Sequence, residues 1–488
     1  MAQRRTRRQF LQVTALGAAG LWLGCGRPAA VDGQDGGVDG GAPDAGSAAD
    51  AGVDAGLEVD AGAPDAGAPD AGVFDQPESL SESLTDFPLG VSAGDVEATR
   101  AVVQTRYVGA GSLALRVWRV GLQGWERVAD TPVQPADGGF IHLDVAGLEP
   151  GARYRYAFVE LQAGVPVGRS AIGRFRAALP AGAVEPLVFG ACSCTENNEV
   201  ATPLLRAGER GDLDLFLLLG DTSYNDGCMT LDEYRARWAS NLGTPEYRAL
   251  RASTSVLATW DDHEVTNDFN PERLSATRLA IARQAFFEML PLRRDALAPE
   301  RIWKSIRWGA TAEFFVLDGR SERKPSTLLP GGDHIYLSRQ QMDWFKQALA
   351  ASTATFKIIL NSVPITDFGF SAFTTDTWRA YFKQRDEILS FIDASAISGV
   401  LWVAGDHHFA SVGRISASGP GANALEVLAG PGAQNGNILF QALRPPRWDF
   451  ASGTNNYLAV HLEPSTRQAR LVFHDASDTV LFDRTYTL

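Results

Sequence analysis

Five stretches of this sequence end in side chains that bind metals or move protons. PLVFGA (186–191) runs into Cys192, Ser193 and Cys194. LDLFLLL (213–219) runs into GDTSYND (220–226), and SVLATW (255–260) into DDHE (261–264). FKIIL (356–360) runs into NSVP (361–364), and SGVLWVA (398–404) into GDHHFAS (405–411). Carboxylate, imidazole, thiolate and phenolate are all metal ligands. One such turn is an ordinary loop. Five that converge would crowd like charges, and crowded carboxylates either protonate or require a cation. The chemistry this pattern implies is metal-assisted.

Buried apolar runs of about 4–8 residues read as central strands. Functional groups collect just beyond the C-terminal ends of such strands, where loops meet. Helical segments such as LSATRLAIARQAFFEML (274–290) and SRQQMDWFKQALA (338–350) lie between the runs. The expectation is a layered α/β domain over 179–488 with its site at one edge of the sheets. Residues 86–178 differ. ALRVWRV and FIHLDV alternate as short strands do. GLEPGARYRYAFVE sets Tyr154 and Tyr156 behind a Pro-Gly turn. That is similar to the tyrosine-bearing corner of an immunoglobulin or fibronectin-type sandwich. An all-β sandwich with a packing role is expected there.

The N-terminus reads as an address. TRRQFLQ (6–12), the apolar VTALGAAGLWLG (13–24) and then Cys25 resemble a twin-arginine export signal ending at a lipoprotein site, residues 1–25, though Trp22 stands where Leu is usual. The apolar run is too short for a comfortable membrane span. Membrane attachment would come through a lipid on Cys25, with a soluble secreted product as the alternative. Residues 26–85 form a degenerate Asp/Ala/Gly/Pro repeat, in which 32–75 carry ten Asp, one Glu and no Lys or Arg. Such a stretch cannot bury enough apolar surface to offset chain ordering, so a disordered tether is expected. The formal net charge is −14, and what remains outside that tract is mildly acidic. A polyanionic nucleic acid is therefore a poor partner. We expect a phosphate-ester substrate, a monomer, and a place in the cell envelope (periplasm or outer-membrane lipoprotein) or outside the cell.

FGACS, GDTSYND, WDDHE and GDHH, in this order, resemble the alkaline phosphatase D (PhoD-like) branch of the metallophosphoesterases. FFVLDGRSER (314–323), LSRQQMDWF (337–345), and Trp378, Tyr381 and Arg385 in DTWRAYFKQR extend the resemblance over about 86–480. It implies a four-layer αββα metallophosphoesterase core behind the sandwich. It also implies phosphodiesterase and phosphomonoesterase activity with Fe3+ and Ca2+. By position, Cys192 is the implied iron ligand, Asp221 bridges both metals, and Tyr224 is the iron-bound phenolate. Asp262 and Asp406 are implied for calcium and His408 for iron. Soft and nitrogen donors suit iron, and carboxylates suit calcium.

The implied mechanism is in-line attack by a metal-bound hydroxide, with Asp221 and His263 catalytic. His263 would be a proton donor or a phosphate-binding group, or else a structural partner of Asp261 or Glu264. Those two acids would orient the ligands. Cys194 competes with Cys192 for iron or pairs with Cys228. His407 reads as a surface imidazole. Arg320 and Arg323 would either assist the phosphate or sit in core ion pairs. Asn361 stands where more distant relatives place a histidine. Trp378, Tyr381 and residues 365–376 would wall the cleft. A phospholipase D-type phosphodiesterase would use the same ligands, and a non-catalytic surface binding protein would carry the site as a vestige.

Overall fold

The computed structural model describes residues 77–196, 199–324, 334–368, 376–437 and 444–488. The export signal, Cys25 and the repeat up to residue 76 lie outside the described residues. Residues 77–85, expected in the tether, are bound to the folded part. Arg169 Nε donates to Pro77 O (2.9 Å), and Ser83 N donates to Arg169 O (2.9 Å).

Two mixed sheets pack face to face, as period-2 strands with two apolar faces require. The nine-stranded sheet has parallel Leu187–Cys192, Leu215–Leu218, Ser255–Ala258 and Val91–Gly94 at its centre. The seven-stranded sheet has parallel Ala312–Val316, Phe356–Leu360, Val400–Ala404 and Leu425–Leu428. In LDLFLLL, Leu215, Leu217 and Leu219 point into the inter-sheet core, towards Phe314, Ile358 and Val403. Phe216 and Leu218 point the other way, into a second core with Trp238, Tyr247 and Phe286 of helices Leu231–Leu242, Pro245–Ser253 and Ala276–Met289. On the far side Phe315, Ile359 and Trp402 meet Phe345 and Ile388 of helices Arg339–Ala351 and Phe382–Ala394. Helices thus cover the outer face of each sheet.

The 86–178 region is β-rich but does not stand apart. A five-stranded sheet, with Ser112–Gly121 and Arg153–Gln162 at its heart, closes a core of Leu115, Val117, Tyr156 and Phe158. The layer opposite is Val91–Gly94, Arg100–Arg106 and Phe140–Ala146, and these strands extend the nine-stranded sheet through Ala93↔Ser255. The region expected as an all-β sandwich is thus a pair of β layers, one of which belongs to the nine-stranded sheet of the larger unit. Burying that edge also removes an unpaired strand. Tyr154 behaves as expected of a corner, its hydroxyl accepting from Glu149 N at 2.7 Å. The C-terminal strands Asn456–Glu463, Gln468–Asp475 and Val480–Thr487 finish the other edge of the same sheet.

Candidate metal centre

The loops after four parallel strands, Leu187–Cys192, Leu215–Leu218, Ser255–Ala258 and Val400–Ala404, meet at one rim. Cys194, Asp221 and His408 bring ligand atoms within 4.8 Å of one another, and so do Asp221, Asp261, Asp262 and Asp406. Tyr224 Oη donates to Asp221 Oδ2 (3.4 Å) and lies 3.5 Å from His408 Nε2. Asp221 is thus common to a thiol–phenol–imidazole set and a carboxylate set. Asp221, Tyr224, Asp262, His263, Asp406 and His408 come together where the sequence placed them.

Cys192 does not join them. It is the last residue of its strand, and its Sγ faces Asn456 O (3.4 Å) and Ser193 O (3.5 Å). Cys194 Sγ lies 3.6 Å from Asp221 Oδ2, so Cys194 takes the place given to Cys192. The chain turns left-handed at Cys194 (φ 56°), which swings its side chain toward Asp221. Asp221 (53°), Asp406 (65°) and His408 (55°) share that conformation. Non-glycine residues pay strain for it, and such residues gather at functional sites. Cys192, Cys194 and Cys228 are all free thiols, so Cys194 and Cys228 are not paired.

Other expectations are corrected by burial. His407 is no surface imidazole: its side chain is 13 % exposed, its Nδ1 is 2.7 Å from Asp406 Oδ2, and its ring packs on Phe368. Trp378 and Tyr381 are buried with Tyr336 rather than lining a cleft, and Trp378 stacks on Tyr336 at 3.8 Å. Arg320 is fully buried in ion pairs with Asp261 and Asp376, with Asp262 at 3.5 Å; Arg323 joins it on Asp376 at 3.2 Å. Both arginines are internal counter-ions. Asn361 Nδ2 donates to Val363 O, while its buried Oδ1 has no partner. Residues 369–375 of the expected cleft wall lie outside the described residues.

Glu264 organises the rim. Its carboxylate accepts from the backbone N–H groups of Thr222 (2.6 Å), Asp261 (2.8 Å) and Asp221 (3.0 Å), which clamps two strand ends together. Burial still lifts it to about 7 against those donors. Gly220 permits the approach. Its φ is +102°, and a Cβ there would fall 2.5 Å from Asp261 Cβ and 2.8 Å from Asp261 N. Gly220→Ala is expected to destabilise the fold by about 2–3 kcal/mol, from overpacking and a disallowed φ. A denaturant midpoint unchanged from wild type would contradict this.

The sequence offers His263 as a proton donor or phosphate-binding group, or else as a structural partner of Asp261 or Glu264. Its Nδ1 instead meets Asp226 Oδ2 at 2.6 Å, and its ring stacks on Tyr224 at 4.0 Å. Its buried Nε2 has no hydrogen-bond partner. Burial lowers its basicity, but Asp262, Asp226 and Glu264 outweigh burial and push it up to about 9. Asp226, the last residue of GDTSYND, was missed; an acid two residues after a ligand is the signal that pointed to it. Asp226→Asn removes a charge that favours imidazolium, so the pKa of His263 falls. The alkaline limb of any activity needing protonated His263 then moves to lower pH, with about a 10- to 100-fold loss in kcat. A pH–rate profile checks the direction.

The residues fit metal ions. Burial, then Cys194, Asp262, Asp261 and Glu264, hold the Asp221 carboxyl well above the usual range. Burial does the same to Asp261 against the pull of Arg320. Buried Asp261 Oδ2 and Asp262 Oδ1 make no hydrogen bond. Buried carboxylates left in this state are what cations satisfy.

Two face-packed mixed sheets carrying ligand-type side chains at one rim define a metallophosphoesterase-like fold. The chain shares it with a purple acid phosphatase from yellow lupin seeds, at TM-score 0.60 and 13 % identity over 82 % of this chain and 73 % of that one. A solved PhoD structure matches at TM-score 0.71 and 22 % identity, over 82 % and 89 % of the two chains. The sequence model of the PhoD-like phosphatases matches residues 187–438, and the chain belongs to that family. Alkaline phosphatase D of Bacillus subtilis is 27 % identical over an alignment of 378 residues, and the match covers 66 % of this chain and 64 % of the relative's length.

Proposed function

We propose that this chain is a metal-dependent phosphoesterase, a phosphodiesterase/phosphomonoesterase of alkaline phosphatase type, acting at a two-cation centre. One observation carries the reading: Asp221 belongs at once to the Cys194–His408 group and to the Asp261–Asp262–Asp406 group. Cys194, Tyr224 and His408 suit Fe3+, and Asp262 and Asp406 suit Ca2+. Cations held there would offset phosphate charge and acidify water. The protein's own residues do the rest. Asp226 fixes the ring of His263, so that Nε2 can give its proton to the leaving oxygen as the P–O bond breaks. Arg320 pairs with Asp261 and Asp376 and offsets part of their buried charge. Glu264 sets the spacing of the two ligand loops. Export by the twin-arginine route, with a lipid on Cys25 holding the enzyme in the cell envelope, belongs to the same reading. It rests on TRRQFLQ and Gly24-Cys25, and on the need to load iron before transport. The test is hydrolysis of bis-p-nitrophenyl phosphate and p-nitrophenyl phosphate, with iron and calcium measured on the same preparation. Turnover that tracks both metals is expected. A metal-free protein that turns over neither ester would overturn the proposal.

A further inference from the structure

Helix Leu231–Leu242 opens in a capping box made by Thr230 and Glu233, and it buries Tyr234, Trp238, Asn241 and Leu242. Those positions follow the i, i+4, i+7, i+8 spacing of one helix face. Tyr234, Trp238 and Leu242 belong to the core under the nine-stranded sheet. Asn241 stands among them, 2 % exposed. A buried amide costs free energy unless its hydrogens find acceptors.

Both hydrogens of Asn241 serve the ligand rim. Its Nδ2 donates to Thr195 O at 3.0 Å and to Thr222 O. Two carbonyl acceptors settle which end of the amide faces them, because only its nitrogen carries hydrogens. Thr195 follows Cys194, and Thr222 follows Asp221. The amide thus joins the loop that carries Cys194 to the loop that carries Asp221 and Tyr224. The same two loops meet through Cys194 N on Gly220 O (3.4 Å) and Thr195 N on Asp221 O (3.0 Å). Thr195 Oγ1 donates to Asp221 O (3.3 Å) and is itself bonded to the Tyr247 hydroxyl. Asn241 and Tyr247 therefore tie this pair of loops to the helices behind it. Thr222 is held at its N–H by Glu264 and at its C=O by Asn241. Glu264 spaces Asp221 from Asp261, and Asn241 spaces it from Cys194.

We infer that Asn241 is a positioning residue for the ion held by Cys194, Tyr224 and His408. It sets Cys194 Sγ 3.6 Å from Asp221 Oδ2 by fixing the backbone just beyond both residues. The carboxylate side of the centre keeps its own brace in Glu264. The inference rests on the two-cation reading and assigns a separate support to each half of the centre.

The experiment compares iron-loaded wild type with Asn241→Leu, Asn241→Gln and, as a control in the same helix, Leu242→Ala. Iron retained against graded EDTA and the visible absorption of the iron-bound thiolate and phenolate are measured on each. Calcium affinity is read by calorimetric titration, and melting temperature alongside. Asn241→Leu keeps the volume and removes both donors, so it should hold iron about 10- to 100-fold more weakly, with a shifted band and unchanged calcium affinity. Asn241→Gln carries the amide one methylene farther out and should fall between; it decides the matter if Asn241→Leu does not fold. Leu242→Ala should lower the melting temperature through the core and leave iron and band as in wild type. Wild-type iron affinity and band in a folded Asn241→Leu would overturn the inference. So would an equal loss of iron in Leu242→Ala, which would mark the effect as general destabilisation. Hydrolysis of p-nitrophenyl phosphate separates this inference from the catalytic reading. A wild type that holds iron and turns over no ester sinks that reading, while iron retention in the variants still decides this one. A wild type that binds no iron sinks both.

Discussion

Asp221→Asn is expected to abolish turnover, by on the order of 10⁴-fold in kcat, while making the metal-free protein more stable. The two effects share one cause. Asp221 is fully buried among Cys194, Asp261, Asp262 and Glu264, and its carboxyl is held well above the usual range. Asparagine has the same shape and tolerates φ 53°. It keeps the fold and removes both the shared ligand and the like-charge repulsion. Relief of an uncompensated buried charge contributes about 1–4 kcal/mol. The pH dependence has a definite sign. A carboxyl whose folded pKa is raised contributes full stability below its unfolded value, and the contribution is lost as pH rises through the folded one. Metal-free wild type should therefore weaken as pH climbs past about 4, and Asp221→Asn should weaken less. Added calcium should restore wild type and leave the variant unmoved, since only a native state that binds the ion is stabilised by it. Melting curves of both proteins with and without metal, across pH, read all of this. A variant less stable than wild type without metal would show that Asp221 is structural.

His263→Gln should cost about 10²–10⁴-fold in kcat with both metals retained. The ring is placed for proton transfer: Asp226 holds Nδ1 at 2.6 Å, Tyr224 stacks on one face, and Nε2 is buried without a partner. Proton donation matters most when the leaving oxygen is basic. The loss should be small for p-nitrophenyl esters and large for alkyl esters, with KM little changed. Equal losses for the two leaving groups would assign His263 to phosphate binding. Loss of metal on substitution would assign it to holding the site together.

Much of the site was legible because its signals are local. Apolar runs that end in ligand-type residues marked GDTSYND, WDDHE and GDHH as candidates, and the resemblance to the PhoD-like family singled out Asp221, Tyr224, Asp262, His263, Asp406 and His408 within them. The alternation of LDLFLLL, apolar on both faces, already required a strand covered on each side. Cys192 against Cys194 was not legible. Two cysteines two apart share one face of an extended strand, and only a left-handed turn at Cys194 separates them.

What the sequence determined by itself is the family, the two stacked α/β layers and the kinds of ligand present, because periodicity and motif are properties of neighbouring residues. What the tertiary structure decided depends on residues distant in the chain. The pairing of Ala93 with Ser255 merges the N-terminal strands into the nine-stranded sheet. Asp226 reaches His263 across 37 residues, and Arg320 reaches Asp261 across 59. Burial turns His407 inward. The charge that an acid or a base carries is set by what folding packs against it, and that packing is not written in its neighbours along the chain.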